Sequence, residues 1–178
     1  MQIIKNTLGY DLPIRTEKDF PVKGIEFIDI NPLLMNSRIY NDIINTFLTE
    51  ISDKKIDYII SPEARGFILG CPVAVKANIP FIPVRKKGKL PPTTIELEME
   101  YVKEYGKDIL CLPKLFDGTY KNKNIYIIDD IYATGNTSNA IGKGIISLGG
   151  NVVGVGSLIN IIELNKDKVF SIVDVKED

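Results

Sequence analysis

Apolar residues recur along this chain at two spacings, and the switching between them predicts its architecture. From 37 to 51, Ile39, Tyr40, Ile43, Ile44, Phe47, Leu48 and Ile51 keep helical spacing, so the stretch reads as an amphipathic helix capped by Asn36 or Ser37. Asp57-Tyr58-Ile59-Ile60, ending at Ser61-Pro62, reads as a buried strand. Residues 66–77 carry Phe67, Ile68, Leu69, Val73, Ala74 and Val75 and read as a mostly apolar helix, with Pro72 inside the pattern. The next strand is 80–84, and its prolines place it at a frayed or edge position. Ile125-Tyr126-Ile127-Ile128 is the clearest buried strand. It leads to a helix over 138–148 that Gly149-Gly150 stops. Gly142 and Gly144 weaken that helix by about 1 kcal/mol each relative to alanine. Strands are expected again at 108–112, 152–162 and 169–175. Residues up to about 35 read as irregular, punctuated by Pro13, Pro21, Gly24 and Pro32. Residues 85–106 are polar and charged, show no core pattern, and read as a long functional loop.

Strand, helix, strand, strand-loop-helix, strand is a βα alternation. It predicts one α/β domain with a twisted, mostly parallel sheet and helices on both faces. Ligands of such sheets bind at the carboxyl ends of the strands, where every polar segment named above falls.

Composition narrows the chemistry. The 178 residues suffice for one domain with its own core, and 44% hydrophobic with 25% charged residues is the balance of an ordinary globule. The formal net charge of −1 argues against a nucleic-acid partner. No apolar run is long enough for a membrane span, and the opening residues form no leader, so a cytosolic location is expected. Cys71 and Cys111 are too few for a disulfide scaffold or a four-ligand zinc site and read as reduced packing residues. There is no histidine, so acid–base chemistry falls to Asp, Glu, Tyr, Lys or Cys. Any metal is then a hard ion held by carboxylates and substrate phosphates.

Four strings carry candidate chemistry. In Ile127-Ile128-Asp129-Asp130-Ile131-Tyr132-Ala133-Thr134-Gly135-Asn136-Thr137-Ser138, an apolar strand delivers two carboxylates to the sheet edge and a small-residue turn opens a helix. The free N–H groups of the helix start, with the Thr134 and Thr137 hydroxyls, suit a phosphate, and Gly135 lets the backbone approach closely. Asp129 and Asp130 can accept hydrogen bonds from ribose hydroxyls. Ser61-Pro62-Glu63-Ala64-Arg65-Gly66-Phe67 joins a strand end to a helix start, and Arg65 can grip phosphate oxygens in bidentate fashion. Val84-Arg85-Lys86-Lys87-Gly88-Lys89-Leu90-Pro91 concentrates positive charge, and Glu100-Tyr101-Val102-Lys103-Glu104-Tyr105-Gly106 interleaves acids with tyrosines. Taken alone, the last two also read as a solvated basic turn and a charged surface loop.

The first string resembles the PRPP-binding motif of the type I phosphoribosyltransferases (PRPP is phosphoribosyl pyrophosphate). The other three resemble segments of the family's adenine-specific members, and the resemblance runs from about Phe20 to Ile162. It implies the family's fold, with a small N-terminal hood over 1–36 and a mobile catalytic loop over 85–106. By it, Asp129 and Asp130 take the ribose hydroxyls, and Ala133, Thr134, Gly135, Asn136 and Thr137 wrap the 5-phosphate. Glu63, Ala64, Arg65, Arg85 and Lys89 hold pyrophosphate, with a cis peptide between Glu63 and Ala64. Phe27 stacks on the base beside Glu26, Ile28 and Ile131. Glu104 is the acid–base group, shielded by Tyr101 and Tyr105, and Arg65 shares the catalytic work. The implied reaction makes AMP and pyrophosphate from adenine and PRPP. The implied cofactor is Mg²⁺ held mainly by PRPP and water, without a protein ligand set, and the implied assembly is a homodimer.

The sequence departs from the family at Asn136, where the adenine enzymes usually carry a glycine. It also departs at Ile28, usually basic, at Glu26, usually apolar or neutral, and at Asn160, where glutamate is common. Most of these touch the base pocket. A transferase for hypoxanthine, guanine or xanthine therefore stays open, because one mispaired donor shifts base preference by orders of magnitude. A PRPP-sensing regulator is the rival from another class. It is opposed by the short stretch ahead of the first helix, too small for a DNA-binding module, and by the match at Glu104. A generic nucleotide-binding domain finds no Walker or dinucleotide glycine motif.

Overall fold

The computed structural model describes residues 1–103, 106–116 and 118–176. In chain order the elements are β1 (Gln2–Asn6), β2 (Arg15–Lys18), β3 (Glu26–Asp29), α1 (Asn31–Leu34), α2 (Ser37–Ile51), β4 (Tyr58–Pro62), α3 (Arg65–Ala77) and β5 (Phe81–Lys86). After a short 3-10 turn come β6 (Ile95–Lys103), β7 (Gly106–Pro113), β8 (Asn124–Tyr132), α4 (Asn136–Ser147), β9 (Asn151–Ile161) and β10 (Phe170–Lys176). The main sheet has eight strands in the order β1-β10-β9-β8-β4-β5-β7-β6. Its five central strands are parallel, and antiparallel strands close both margins.

β8 is buried on both faces, which is why residues 125–128 form a continuously apolar run. Tyr126 and Ile128 enter one core with α2 and α3, while Ile125 and Ile127 enter the other with α4 and the β6–β7 hairpin. The chain runs outward from β4 to β5 on one side and from β8 through β9 to β10 on the other. The reversal between β4 and β8 opens a crevice at their carboxyl ends.

Local chemistry explains the helices. The Asn36 side chain caps α2 by accepting from the N–H groups of Arg38 and Ile39, at 3.1 and 3.2 Å. Pro72 does sit within α3, where it cannot donate to the carbonyl of Ile68. The Tyr40 hydroxyl of α2 donates to that carbonyl instead. Gly144 of α4 is required by packing: a Cβ there would run into the Met99 side chain and stand 3.2 Å from Leu97, both on β6.

Three expectations are corrected. Residues 1–35 are not irregular: β1 joins the edge of the main sheet, and β2 and β3 form a separate antiparallel hairpin within the segment expected as a hood. β5 is not an edge strand, since it lies between β4 and β7. Pro83 is accommodated because the carbonyls of Pro80 and Val84 face β4, so Pro83 faces the other side, where pairing with β7 begins only at Arg85. Residues 85–106 are not a structureless loop. Their described part completes β5 and builds β6, whose alternation of Ile95, Leu97, Met99 and Tyr101 with Glu96, Glu98 and Glu100 is the half-buried strand signal the sequence carries.

No helix among the described residues is long and apolar enough to cross a membrane. Asn36→Ala is expected to lower unfolding free energy by about 1 kcal/mol, read by urea denaturation, because two first-turn N–H groups lose their acceptor.

Candidate active site

The carboxyl end of β8 sets the site. Asp129 and Asp130 are 8% and 5% exposed, two carboxylates in a place that hydrates neither. Burial, followed by the proximity of Asp130, pushes the Asp129 carboxyl well above the ordinary range, while the Asp130 N–H donates to Asp129 Oδ1 at 2.8 Å. Asp130 Oδ2 lies 2.7 Å from Arg65 Nε, an ion pair that crosses the crevice from β8 to the start of α3. Gly66 makes this approach possible, because a Cβ there would stand 3.0 Å from Asp129 Oδ1 and 3.1 Å from Pro62. The Arg65 guanidinium also donates to the Ile28 carbonyl at 3.3 Å and sits 5.2 Å above the Phe27 ring. One side chain thus joins the carboxylate pair to the hood.

Past β8 the chain turns through Ala133-Thr134-Gly135 into α4. Gly135 has φ of 76° and lies over the Tyr132 hydroxyl, so both its backbone and its lack of a side chain are needed. No side chain caps α4, which leaves first-turn N–H groups for an anion. On the other side of the crevice, the Glu63–Ala64 peptide is cis, as the resemblance implies. Burial pushes the Glu63 carboxyl up, but hydrogen bonds from Arg85 and from the Lys86 backbone outweigh it and hold the group below its ordinary value. The Arg85 Nε to Glu63 Oε2 distance is 2.5 Å.

These segments line one cavity of about 620 Å³, in the range of small-molecule sites. Its walls include Glu26, Phe27, Ile28, Glu63, Ala64, Arg65, Tyr101, Asp129, Asp130, Ile131, Ala133, Thr134, Asn136 and Thr137, all expected from the sequence. Gly135 shapes the turn without facing the cavity. Neither Arg85 nor Lys89, which the resemblance assigns to pyrophosphate partly across a dimer, lines the cavity within this chain. Neighbouring strand residues point to opposite faces, so with Arg85 turned onto Glu63 it is Lys86 that lines the cavity. Lys89 is exposed in the turn beyond. Among the walls that the sequence reading missed are Lys86, which is polar, and Leu164, which is apolar. Strand alternation at 85–86 could have shown the first; Leu164 arrives from the loop after β9, and no motif marks it. Glu104 and Tyr105 lie outside the described residues.

Phe27 is braced edge-to-face by Phe20, with ring centroids 5.2 Å apart. Ile28 turns its side chain into the core at 5% exposure. A second depression of about 700 Å³ lies between the Thr7–Tyr10 region and α2. Its carboxylates are already paired, Asp42 with the Tyr10 hydroxyl at 2.8 Å and Glu50 with Lys54 at 3.0 Å, and none of the motif residues reaches it.

The phosphoribosyl transferase domain model matches residues 34–178. The chain belongs to the phosphoribosyltransferase family. It is 43% identical over 157 residues to an adenine phosphoribosyltransferase of Clostridium acetobutylicum, covering 88% of this chain and 89% of that one. Among solved structures it resembles the adenine phosphoribosyltransferase of Thermoanaerobacter pseudethanolicus, with a TM-score of 0.82, 38% identity, and coverage of 91% of this chain and 95% of that one. It also resembles the Saccharomyces cerevisiae enzyme complexed with an imino-altritol bisphosphate and adenine, with a TM-score of 0.78, 31% identity, and coverage of 89% and 93%. The crevice between β4 and β8 is the candidate active site. Among the described residues no group of three or more carboxylates or cysteines is placed to hold a metal ion.

Asp129 binds its proton more tightly in the folded than in the unfolded chain, so its ionisation costs stability as pH rises above the ordinary carboxylate value. Asp129→Asn keeps an acceptor for the Asp130 N–H and removes that cost. The variant is expected to gain thermal stability over the wild type progressively from pH 4 to pH 7, read by calorimetric melting, with the two converging at lower pH.

Proposed function

We propose that the chain is an adenine phosphoribosyltransferase, joining adenine to the ribose 5-phosphate of PRPP with release of pyrophosphate to give AMP. The observation that carries this is the single cavity uniting a buried carboxylate pair, an uncapped helix start and an aromatic hood. The names of the relatives support adenine as the base. So does the burial of Ile28: with its side chain in the core, this residue offers the cavity its backbone, and the loss of a basic side chain there removes no base contact.

In this reading N9 of adenine attacks C1 of the ribose, the C1–O bond to pyrophosphate breaks, and the N9 proton leaves the base. The transition state carries positive charge on the ribose, so the protein's work is positioning and charge stabilisation. Asp129 and Asp130 hold the ribose hydroxyls. The 133–137 turn and the first N–H groups of α4 hold the 5-phosphate. Arg65 and Lys86 neutralise the departing pyrophosphate. Phe27 and Ile131 hold the base plane, and Tyr101 helps exclude water. Glu104, from the sequence match, exchanges the proton with the purine. The donor set fits Mg²⁺ bound mostly through substrate and water, since of the carboxylates lining the cavity Asp130 is already paired with Arg65 and Glu63 with Arg85. Magnesium, when bound, offsets the charge of the pyrophosphate. A cytosolic location and a homodimer belong to the same proposal.

The test is a steady-state assay with PRPP and Mg²⁺ that offers adenine, hypoxanthine, guanine and xanthine separately and follows pyrophosphate. Release with adenine alone is expected. Release with an oxopurine instead overturns the base assignment, and silence with all four alongside tight PRPP binding points to the sensor. Glu104→Gln is expected to lower kcat by at least about 100-fold while PRPP still binds, and wild-type turnover would remove the acid–base role.

A further inference from the structure

The turn that would hold the 5-phosphate has few bonds of its own. Within it, the Asn136 N–H reaches Thr134 Oγ1 only at 3.5 Å, and no side chain caps the helix behind it. Besides the Asn136 Nδ2 bond to the Val102 carbonyl, its anchorage comes from the loop between β9 and β10, a segment that no motif marks. Asn165 Nδ2 donates to the Ala133 carbonyl at 2.7 Å, to Asn160 Oδ1 at 3.0 Å and to the Ile161 carbonyl at 3.0 Å. Asn165 Oδ1 accepts from the Asp167 N–H at 3.2 Å, and Asp167 Oδ2 accepts from the Tyr132 hydroxyl at 2.7 Å. That hydroxyl lies where a Cβ of Gly135 would be. One loop therefore holds the turn at its first carbonyl and braces the tyrosine beneath its left-handed glycine.

The network continues inward. Asn160 donates to Asp174 Oδ1 at 3.2 Å, and Asp174 also accepts from Ser171 Oγ and lies 3.7 Å from Lys5 Nζ. Asn165 is thus fixed to three strands of the sheet before it touches the turn. The C=O and N–H of one trans peptide point in opposite directions, so holding the Ala133 carbonyl on Asn165 aims the Thr134 N–H away from Asn165. Ala133 and Thr134 are walls of the cavity and Asn165 is not.

We propose that Asn165 is a positioning residue for the phosphate-binding turn, presetting the Ala133–Thr134 peptide so that its N–H faces the 5-phosphate before ligand arrives. The inference rests on the transferase reading. It predicts that loss of Asn165 weakens the phosphate end of the substrate more than the base end, because Asn165 bonds to Ala133, Asn160, Ile161 and Asp167 and to neither Phe27 nor Ile131.

The experiment measures ribose 5-phosphate binding by calorimetry, and steady-state constants, for the wild type, Asn165→Ala and Asn165→Asp. The Asp variant keeps the size of the side chain and removes both amide donors. For both variants the Kd for ribose 5-phosphate and the KM for PRPP are expected to rise about 10-fold, the effect of losing one well-made hydrogen bond's worth of preorganisation. The KM for adenine and kcat are expected to stay within about twofold of wild type. Unchanged ribose 5-phosphate affinity in both variants overturns the positioning role. A fall in kcat and melting temperature with unchanged KM for PRPP does so as well, since that is what a merely structural residue gives. Failure of the wild type itself to bind ribose 5-phosphate overturns the transferase reading, and this inference with it.

Discussion

Two carboxylates at the end of a strand buried on both faces are the constraint on which the rest of the site depends. β8 must be apolar over 125–128 to sit between two cores, so the first polar groups it can offer are those at its carboxyl end, where Asp129 and Asp130 emerge into the crevice. Burial makes a pair of adjacent negative charges costly there. The structure meets that cost with a raised Asp129, an N–H donated to it by Asp130, and Arg65 set against Asp130. Gly66 and the tight turn at 62–66 follow from bringing the start of α3 within reach of those carboxylates.

Arg65 and Arg85 show how cations beside the crevice divide their work. Arg65 remains on the cavity wall, bridging the carboxylate pair, the Ile28 carbonyl and the Phe27 ring. Arg85 turns to Glu63 and secures the turn that carries Arg65. Alternation along β5 then delivers Lys86 to the cavity without further constraint. The antiparallel margin has a comparable role: β6 packs Met99 on Gly144 of α4 and places Tyr101 in the wall, and Asn136 Nδ2 donates to the Val102 carbonyl at 3.1 Å, tying the hairpin to the phosphate turn. Asn136, the residue that departs from the family's glycine, thus has a structural use of its own.

The elements that packing dictates one at a time were legible in the chain. Residues 37–51 form a helix because a single apolar stripe meets α3 and the sheet, and 125–128 form a strand because both faces are covered. The motif at 127–138 carried one side of the cavity wall. The hairpin at 95–113 was less visible because its outward residues are glutamates and lysines, and charge drew the eye from an alternation that was nonetheless present. Pro72 looked disruptive because nothing nearby in sequence announces that Tyr40, from another helix, satisfies the carbonyl it strands.

By itself the sequence determined the parallel βα core, the carboxylate pair and the glycine turn ahead of α4, since each is written in contiguous residues whose chemistry is local; the cis Glu63–Ala64 peptide was implied by the family resemblance. Only the tertiary structure decided which of Arg85, Lys86 and Lys89 reaches the cavity, where Ile28 points, and that the loop carrying Leu164, Asn165 and Asp167 closes beneath Ala133 and Gly135. Those outcomes depend on strand facing and on contacts between segments some thirty or more positions apart. Such contacts form when the sheet order brings the carboxyl ends of β8 and β9 side by side, and no local pattern encodes them.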